Sequence, residues 1–377
     1  MLDGPIIYLL QSIAAASLTV QGMIFIAFIA LTRLRTSPQF IAAAVFFTAV
    51  VLAAGDTLFA HLGGFLRWPE TAFVLSPVGI LCAPALFLFV QARIDAAFRL
   101  RPIHLLHLSV VAPIYAGFAS EYYFLSAEDK LAYLRGGIAG SFFYQYFFSL
   151  FGQAVMVGYL AASLVQLHRY GMRLKNWFSS LDDRSLNWLR YLVLIKALVI
   201  ALDFVWHISG QTLTDSSITQ WSFAAVLATQ LGLINLIMLR GVADHAVHRD
   251  FFVPALDDAI PPETSKQLEA VYRQAEQAMM SHRLYLQPGL TLQDLADALK
   301  QKPRLVSEAI KQSGECNFLE FVNRHRVEAA KAALSVKPGN RIIDVAYDAG
   351  FNSKSAFNQA FRKFVGQTPS SFRQAIR

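Results

Sequence analysis

Residues Asp344–Arg373 read DVAYDAGFNSKSAFNQAFRKFVGQTPSSFR, and this stretch decides the fold of the C-terminal part of the chain. Apolar residues at three- and four-residue steps predict two short helices, and Gly350 between them predicts a tight turn. The expected inner face of the second helix consists of Phe357, Ala360, Phe361 and Phe364. A helix, a glycine turn and a second helix are typical of a helix-turn-helix unit.

The second helix of this unit carries polar side chains on its expected outer face, namely Ser355, Asn358, Gln359 and Arg362. Asn and Gln can form two hydrogen bonds with adenine, and Arg can do the same with guanine. Nearby cations are expected to contact phosphates, which position a protein without specifying a sequence; these are Arg341, Lys354, Lys363 and Arg373. The pattern predicts that this face reads double-stranded DNA.

A second unit of the same kind is predicted upstream, over residues 290–312. Thr291 is the expected N-cap of its first helix, with Asp294 three residues later as in a capping box, and Pro303 fits the first turn of its second helix. The outer face of that second helix carries the expected DNA contacts Arg304, Ser307 and Lys311, with Glu308 beside them. Either unit alone could be an ordinary helical hairpin, but two at this spacing, joined by a predicted spacer helix over 318–336, favour DNA binding.

The segment from about 285 to 373 resembles the AraC/XylS family of bacterial transcription regulators. The matching positions are Ala346, Gly350, Phe351, Ser353, Phe357, Phe361, Lys363, Gly366, Pro369 and Arg373, with Phe318, Asn323, Arg326 and Ala330 in the spacer helix. The resemblance implies two helix-turn-helix subdomains joined by a long helix, promoter binding, and RNA polymerase as a further partner. Phe372 and Gln359 depart from the usual residues of the family, so the base preference is not carried over.

The N-terminal 240 residues have the composition of a membrane protein. Hydrophobic residues make up 55% of the chain and charged residues only 16%, against about 25% charged in soluble domains. Residues 1–240 hold 26 of the Asp, Glu, Lys and Arg residues, and the shorter 241–377 holds 33. A spanning helix needs roughly 20 apolar residues, and seven such helices are predicted, at about 5–31, 40–62, 72–92, 103–123, 139–166, 189–210 and 219–240.

The loops between these helices predict the orientation in the membrane. Loops that follow odd-numbered helices contain nine Lys and Arg residues, and those on the other side contain three. Positive charge marks the cytoplasmic side. The protein is therefore expected in the cytoplasmic membrane of a bacterium, with its N-terminus outside the cell and its C-terminal domain in the cytoplasm. The first helix lacks the positive start of a signal peptide and is expected to be an uncleaved span. The chain resembles the AraC/XylS subgroup with an N-terminal multi-span domain.

Ionisable residues within the predicted spans suggest a sensor pocket. Such residues are costly in a bilayer and indicate function by default; here they are Asp56, His61, Glu121, Asp203 and His207. The alternative is that they hydrogen-bond between helices and hold the bundle together. Two His and two carboxylates could also bind zinc, but their spacing is a weak signal and no metal site is predicted.

The connector between the two halves is predicted to be a linker with Pro254, Pro261 and Pro262, followed by a helix over about 264–282. That helix could pack on the DNA-binding region, or it could form a homodimer that reads paired half-sites. The predicted domains are therefore 1–240, 241–282 and 283–377. Cys82 and Cys316 fall in different domains and predict no disulfide framework.

The predicted fold class is all-α, with a seven-helix transmembrane bundle and a C-terminal double helix-turn-helix domain. The predicted function is a membrane-embedded one-component transcription regulator that senses an unknown small-molecule or membrane signal, with the bilayer, promoter DNA and a second copy as partners. No enzymatic motif or cofactor site is predicted. One alternative is a transporter-like or enzymatic membrane protein whose C-terminal domain binds a protein partner. Another keeps DNA binding but makes the bundle a passive anchor.

Overall fold

The structure, a computed structural model, describes residues 3–32, 37–95, 97–135, 147, 149–181, 186–212, 216–247, 265–336 and 339–376. These residues form α-helices and short 3-10 or π turns and contain no β-strand beyond one isolated bridge, so the all-α prediction is confirmed. The chain divides into two compact units. The first comprises 1–167 and 186–251, and the second comprises 168–185 and 252–377.

The described part of the first unit contains nine α-helices, some long and apolar and others short. They are α1 (Asp3–Leu31), α2 (Pro38–His61), α3 (Gly64–Arg67), α4 (Cys82–Ile94), α5 (Ala112–Phe118), α6 (Ala127–Arg135), most of α7 (Ser149–Trp177), α8 (Asn187–Thr212) and α9 (Ser216–Val247). Helix α1 packs against α2 and α9, α2 packs against α4, and α8 packs against α9. Because α7 continues past residue 167, its C-terminal part belongs to the second unit.

Six helical stretches within the described residues are long and apolar enough to cross a membrane. They are Ile6–Leu31, Pro38–His61, Pro69–Ile94, Pro102–Tyr123, Leu150–Trp177 and Gln220–Leu239. The prediction of seven is therefore wrong in its count. The region predicted at 189–210 does form a helix, α8, but Arg190, Lys196 and Asp203 interrupt its apolar sequence.

The third and fourth stretches are not continuous α-helices. Short 3-10 segments precede α4, at Pro69–Thr71 and Ser76–Leu81, and a 3-10 segment Pro102–Val111 precedes α5. Three tyrosine side chains form hydrogen bonds with the irregular backbone before α4. The hydroxyls of Tyr122, Tyr123 and Tyr115 donate hydrogen bonds to the carbonyls of Pro69 (2.5 Å), Phe73 (2.6 Å) and Val74 (2.7 Å). These bonds satisfy carbonyl groups that a regular helix would have paired internally.

The second unit contains seven further helices in the described part of the chain. They are α10 (Ser265–His282), α11 (Leu292–Leu299), α12 (Pro303–Ser313), α13 (Phe318–Val336), α14 (Ile342–Asp348), α15 (Lys354–Val365) and α16 (Pro369–Ala375). Helix α13 connects the pair α11–α12 to the pair α14–α15. Its bounds coincide with those predicted for the spacer helix.

The connector helix α10 packs on the helix-turn-helix region. Its apolar stripe is buried and consists of Leu268, Val271, Ala275, Ala278 and Met279, and the helix packs against α12 and α11. Of the two alternatives for this helix, the structure favours packing over a dimer seam. The predicted proline linker lies outside the described residues.

Candidate functional site

Helix α15 has the geometry of a capped recognition helix. The Ser353 hydroxyl at its N-cap accepts a hydrogen bond from the amide of Ala356 at 3.2 Å, and Gly366 ends the helix in the left-handed region with φ +81°. Phe357 and Phe361 are fully buried in the core of the second helix pair. Phe364 departs from the prediction, because it is 37% exposed and lines a groove beside α13 instead of the core.

The polar face of α15 is exposed over its whole length. Solvent reaches Lys354, Ser355, Asn358, Gln359 and Arg362. These side chains occupy the face opposite Phe357 and Phe361, which satisfies the geometric requirement for reading base edges. Contact between these residues and DNA stays a prediction.

Three of the four cations predicted to contact phosphate have protein partners. Arg341 donates two hydrogen bonds to Asp344 at 2.8 and 2.9 Å, and Arg373 donates to the carbonyl of Asn340 at 3.0 Å. Lys363 forms an ion pair with Glu320 on α13. Burial opposes ionisation of Glu320, but the hydrogen bonds from Lys363 and Asn317 outweigh it and lower the pKa of that carboxyl.

The first helix-turn-helix pair confirms the predicted caps. The Thr291 hydroxyl accepts from the amide of Asp294 at 3.1 Å, and the Asp294 carboxylate accepts from the amide of Thr291 at 2.8 Å. Pro303 begins α12. The inner face of α12 is buried and consists of Leu305, Val306, Ala309 and Ile310.

The outer face of α12 is less open than that of α15. Lys311 is exposed, whereas Arg304 and Ser307 are half-buried. Glu308 accepts a hydrogen bond from Gln312 at 2.6 Å, so its carboxylate is engaged on its own helix.

Gly350 occupies a turn where no other residue fits. Its φ of +89° lies in the left-handed region that L-residues with a Cβ avoid. A Cβ atom at this position would lie 2.5 Å from the carbonyl oxygen of Tyr285 and 2.9 Å from the Cα of Leu286. The glycine therefore allows the turn before α15 to contact the chain that precedes the first helix pair.

Arg326 is a buried cation whose role the sequence did not reveal. It is 1% exposed. Its guanidinium donates to the carbonyls of Tyr285 and Gln287, both at 2.7 Å, and to the carbonyl and hydroxyl of Ser179 at 3.0 and 3.1 Å. Burial lowers the pKa of this guanidinium to about 10, so it keeps its charge at neutral pH.

The residues predicted to form a sensor pocket do not share one cavity. The His61 ring contacts the Ser12 hydroxyl at 3.1 Å and stacks on Tyr8, and Asp56 is hydrogen-bonded to Ser76. Glu121 lies in the π turn Ala119–Tyr123. The side chain of His207 lies outside the described part of the structure. Within the described residues, no cluster of three or more His, Cys, Asp or Glu could hold a metal ion.

A cavity in the first unit brings together a different polar set. Its volume is about 280 Å³, and its polar lining includes Gln153, Lys196, Asp203 and Gln230 among mostly apolar residues. The Lys196 ammonium, 5% exposed, donates to Gln230 at 3.1 Å, and the Gln153 amide donates to Asp203 at 2.6 Å. Of the predicted pocket residues, Asp203 alone among those with described side chains lines this cavity.

Comparison with known proteins finds relatives of the C-terminal region. Residues 295–375 match the family described as "Helix-turn-helix domain". The bifunctional transcriptional activator/DNA repair enzyme AdaA of Bacillus subtilis is 34% identical over 85 residues, which is 22% of this chain and 40% of that protein. The melibiose operon regulatory protein of Escherichia coli K12 is 28% identical over 86 residues, or 23% of this chain and 28% of that protein.

Each of these two matches covers less than a quarter of this chain and less than half of the relative. An uncharacterised helix-turn-helix-type transcriptional regulator of Staphylococcus aureus strain MSSA476 is also similar, 30% identical over 90 residues, which is 24% of this chain and 12% of that protein. No solved structure matches. Residues 295–375 therefore form a helix-turn-helix domain that is similar to those of AraC-family transcription regulators.

Proposed function

We propose that the chain is a membrane-embedded one-component regulator, in which a signal sensed by the first unit controls sequence-specific DNA binding by the second. One observation carries this proposal: in the part of the chain that the structure describes, a single polypeptide joins six bilayer-length apolar helical stretches to a double helix-turn-helix unit with an exposed, capped recognition helix. No catalytic step is part of it. The repair activity in the name of the Bacillus relative is assigned to that protein alone.

The proposed location is the cytoplasmic membrane of a bacterium, with the N-terminus outside and the second unit in the cytoplasm. Opposite sides require an odd number of crossings, so the proposal has α8 cross the membrane in addition to the six apolar stretches. The excess of Lys and Arg in one set of loops supports this orientation. So does the need of a DNA-binding domain to reach DNA. A reporter that is active only outside the cytoplasm should therefore work when inserted at Ser126 and fail when fused after Val247.

The proposed sensor site is the cavity that holds Lys196 and Asp203. A buried ammonium and a half-buried carboxylate within apolar helices are costly unless a function retains them. The cavity is slightly smaller than the roughly 300–1,000 Å³ of drug-sized ligand pockets, so a small ligand would fit it best. This assignment replaces the predicted pocket around Asp56 and His61, because neither of these two residues lines the cavity.

DNA binding by two copies, and contact with RNA polymerase, complete the proposal. Two double helix-turn-helix units can read paired half-sites, which a single unit cannot. The packing of α10 on α12 puts its apolar stripe out of reach of a second copy, so the proposed dimer would form through another surface or on the DNA itself.

The test is a reporter driven by a promoter that the full-length protein binds in cells. Wild-type output should vary between growth conditions, and Lys196→Met and Asp203→Asn should each hold it constant. His61→Gln is the matched control, because its ring contacts Ser12 and Tyr8 and does not line the cavity. Full variation in the two cavity variants would contradict the proposed sensor site.

A chimeric protein separates the remaining alternatives. If an unrelated membrane anchor replaces residues 1–167 and 186–251 and output still varies, the first unit is a passive anchor. If no promoter is bound by any form of the protein, the C-terminal domain serves another partner, and the membrane half is better explained as a transporter or a membrane enzyme.

A further inference from the structure

Residues 178–181, which directly follow α7, lie against the DNA-binding helices within the second unit. We call these four residues the docked segment. Phe178, Ser179 and Ser180 are 7%, 2% and 8% exposed, although no regular helix includes them. Their burial needs explanation, because short polar loop segments normally lie on the surface.

The docked segment pairs with the start of the first helix-turn-helix unit. The amide of Ser179 donates to the carbonyl of Leu290 at 3.1 Å, and Phe178 forms an antiparallel bridge with Thr291. Thr291 is the N-cap of α11. Backbone hydrogen bonding therefore attaches the docked segment to the N-cap residue of the first helix-turn-helix pair.

The same segment is bound by the spacer helix. Arg326 on α13 donates to the carbonyl and the hydroxyl of Ser179, and its other two hydrogen bonds go to the carbonyls of Tyr285 and Gln287. If the segment left, buried N–H groups of a charged guanidinium would lose their partners. Such a loss is more costly than the bonds are individually stabilising.

The third contact reaches the second helix-turn-helix unit. The side-chain amide of Asn352, in the turn between α14 and α15, donates to the hydroxyl of Ser180 at 3.1 Å. The docked segment also lines a groove along the flank of α15, which Ser355, Gln359 and Lys363 border. The docked segment thus contacts the first helix-turn-helix pair, the spacer helix α13 and the second helix-turn-helix pair.

We propose that the docked segment is a clamp that fixes the two helix-turn-helix units relative to each other, and that its docking sets the specific DNA affinity. Two recognition helices on one rigid frame can enter successive major grooves without losing further freedom, and such preorganisation strengthens binding. The clamp directly follows the long apolar helix α7. A signal that moves α7 would release the clamp and weaken specific binding, by a route separate from residues 241–282.

The inference rests on the proposed function and is tested with the full-length protein in lipid nanodiscs. The probe is the DNA sequence that wild-type protein enriches from a random library, with a scrambled version for comparison. The variants are Ser180→Ala, Asn352→Ala and the double variant. Ser335→Ala is the matched control, because its hydroxyl bonds to Lys331 within α13 and does not contact the docked segment.

Each single variant should lower the affinity for the enriched sequence about two- to tenfold, as expected for one lost hydrogen bond. The double variant should be no weaker than the weaker single variant, because both substitutions remove the same bond. Affinity for the scrambled DNA and the behaviour of Ser335→Ala should not change. Hydrogen exchange of the Ser179 amide, which donates to Leu290, should become faster in Asn352→Ala.

The outcomes separate this inference from the proposed function. Variants that bind the enriched sequence more tightly would show that the segment blocks DNA, and variants that bind it equally would show that the segment is passive. Either result overturns the clamp and leaves DNA binding intact. Failure of the wild-type protein to enrich any sequence would refute the proposed function and the clamp together.

Discussion

The guanidinium of Arg326 hydrogen-bonds both the carbonyl oxygen and the hydroxyl of Ser179, 147 residues earlier in the chain, at 3.0 and 3.1 Å. Its remaining bonds go to two further carbonyls, those of Tyr285 and Gln287. A planar guanidinium can donate all four of these hydrogen bonds to two separate stretches of the chain, whereas a lysine ammonium has only three N–H donors. The residue therefore joins segments that are distant in sequence.

Arg326→Lys should destabilise α13 and its surroundings by about 2–4 kcal/mol, because carbonyl groups bonded to a buried charge would lose their donors. The measurement is the opening free energy of α13 amides from hydrogen exchange of the full-length protein. Arg324→Lys is the control. Arg324 is 40% exposed at its side chain and forms an ion pair with Glu276 at 3.0 Å that lysine can retain. Equal effects of the two substitutions would argue against a special role for Arg326.

Gly350→Ala should destabilise the second helix pair more than Gly366→Ala does. Both glycines have positive φ, so both substitutions carry the cost of about 1–2 kcal/mol for a left-handed L-residue. At Gly350 the added methyl group would also collide with the backbone at Tyr285, whereas at Gly366 it would meet open space. Hydrogen exchange of α15 amides measures the difference. A smaller loss of stability in Gly350→Ala than in Gly366→Ala would contradict the close approach of Gly350 to the backbone of Tyr285.

Arg362→Ala and Asn358→Ala should relax base preference at defined positions of the bound DNA, with about 1–3 kcal/mol of lost discrimination each. Lys354→Ala should instead weaken binding to all sequences and reduce the dependence of affinity on salt, because a phosphate contact releases counterions. Binding to a panel of single-base variants at several salt concentrations distinguishes the two classes. Uniform weakening by Arg362→Ala would place that residue on the phosphates.

Acid should destabilise the second unit in two steps. Burial chiefly lowers the pKa of His325 from 6.5, against the raising effect of Glu276. Unfolded chains therefore bind the proton more readily, and the stability from neutral His325 is present above about pH 6.5 and is lost as pH falls. The pKa values of Glu320 and Asp344 are lowered from 4.5 and 3.8, so their contribution is lost only at still lower pH.

His325→Gln should remove the first of these steps and leave the second. The thermal midpoint of the second unit, followed from pH 7.5 to 4, is the measurement. Wild-type stability should begin to fall below about pH 6.5, whereas the variant should remain level until the carboxylates titrate. Parallel curves for the two proteins would show that His325 does not carry the first step.

Local patterns in the sequence predicted the second unit well. The capping pair Thr291 and Asp294, the glycine turn at Gly350 and the bounds of α13 all depend on residues within a few positions of each other. The prediction that Phe364 faces the core was wrong. Phe364 lies beyond Phe361, the last buried residue of α15, and lines the groove beside α13. Periodicity identifies a helical face but not where the neighbouring element ends.

Long-range relationships escaped prediction for a physical reason. The docking of Ser179 on Arg326 depends on two short polar residues after a helix, and nothing in their pattern marks burial. In the first unit, the sequence placed Asp56, His61 and Asp203 within predicted spans. It did not give the rotation of each helix about its axis, which directs His61 to Ser12 and Asp203 to Gln153.

Genome-wide capture of DNA by the full-length, membrane-embedded protein tests the central claim most directly. The control is the double variant Gln359→Ala, Arg362→Ala, which removes two exposed side chains of α15 without touching its buried face. We predict discrete bound sites next to a small set of genes, and the loss of these sites in the double variant. Identical profiles for the two proteins, or no sites above background for the wild type under any growth condition, would contradict the claim that this chain connects the membrane to transcription.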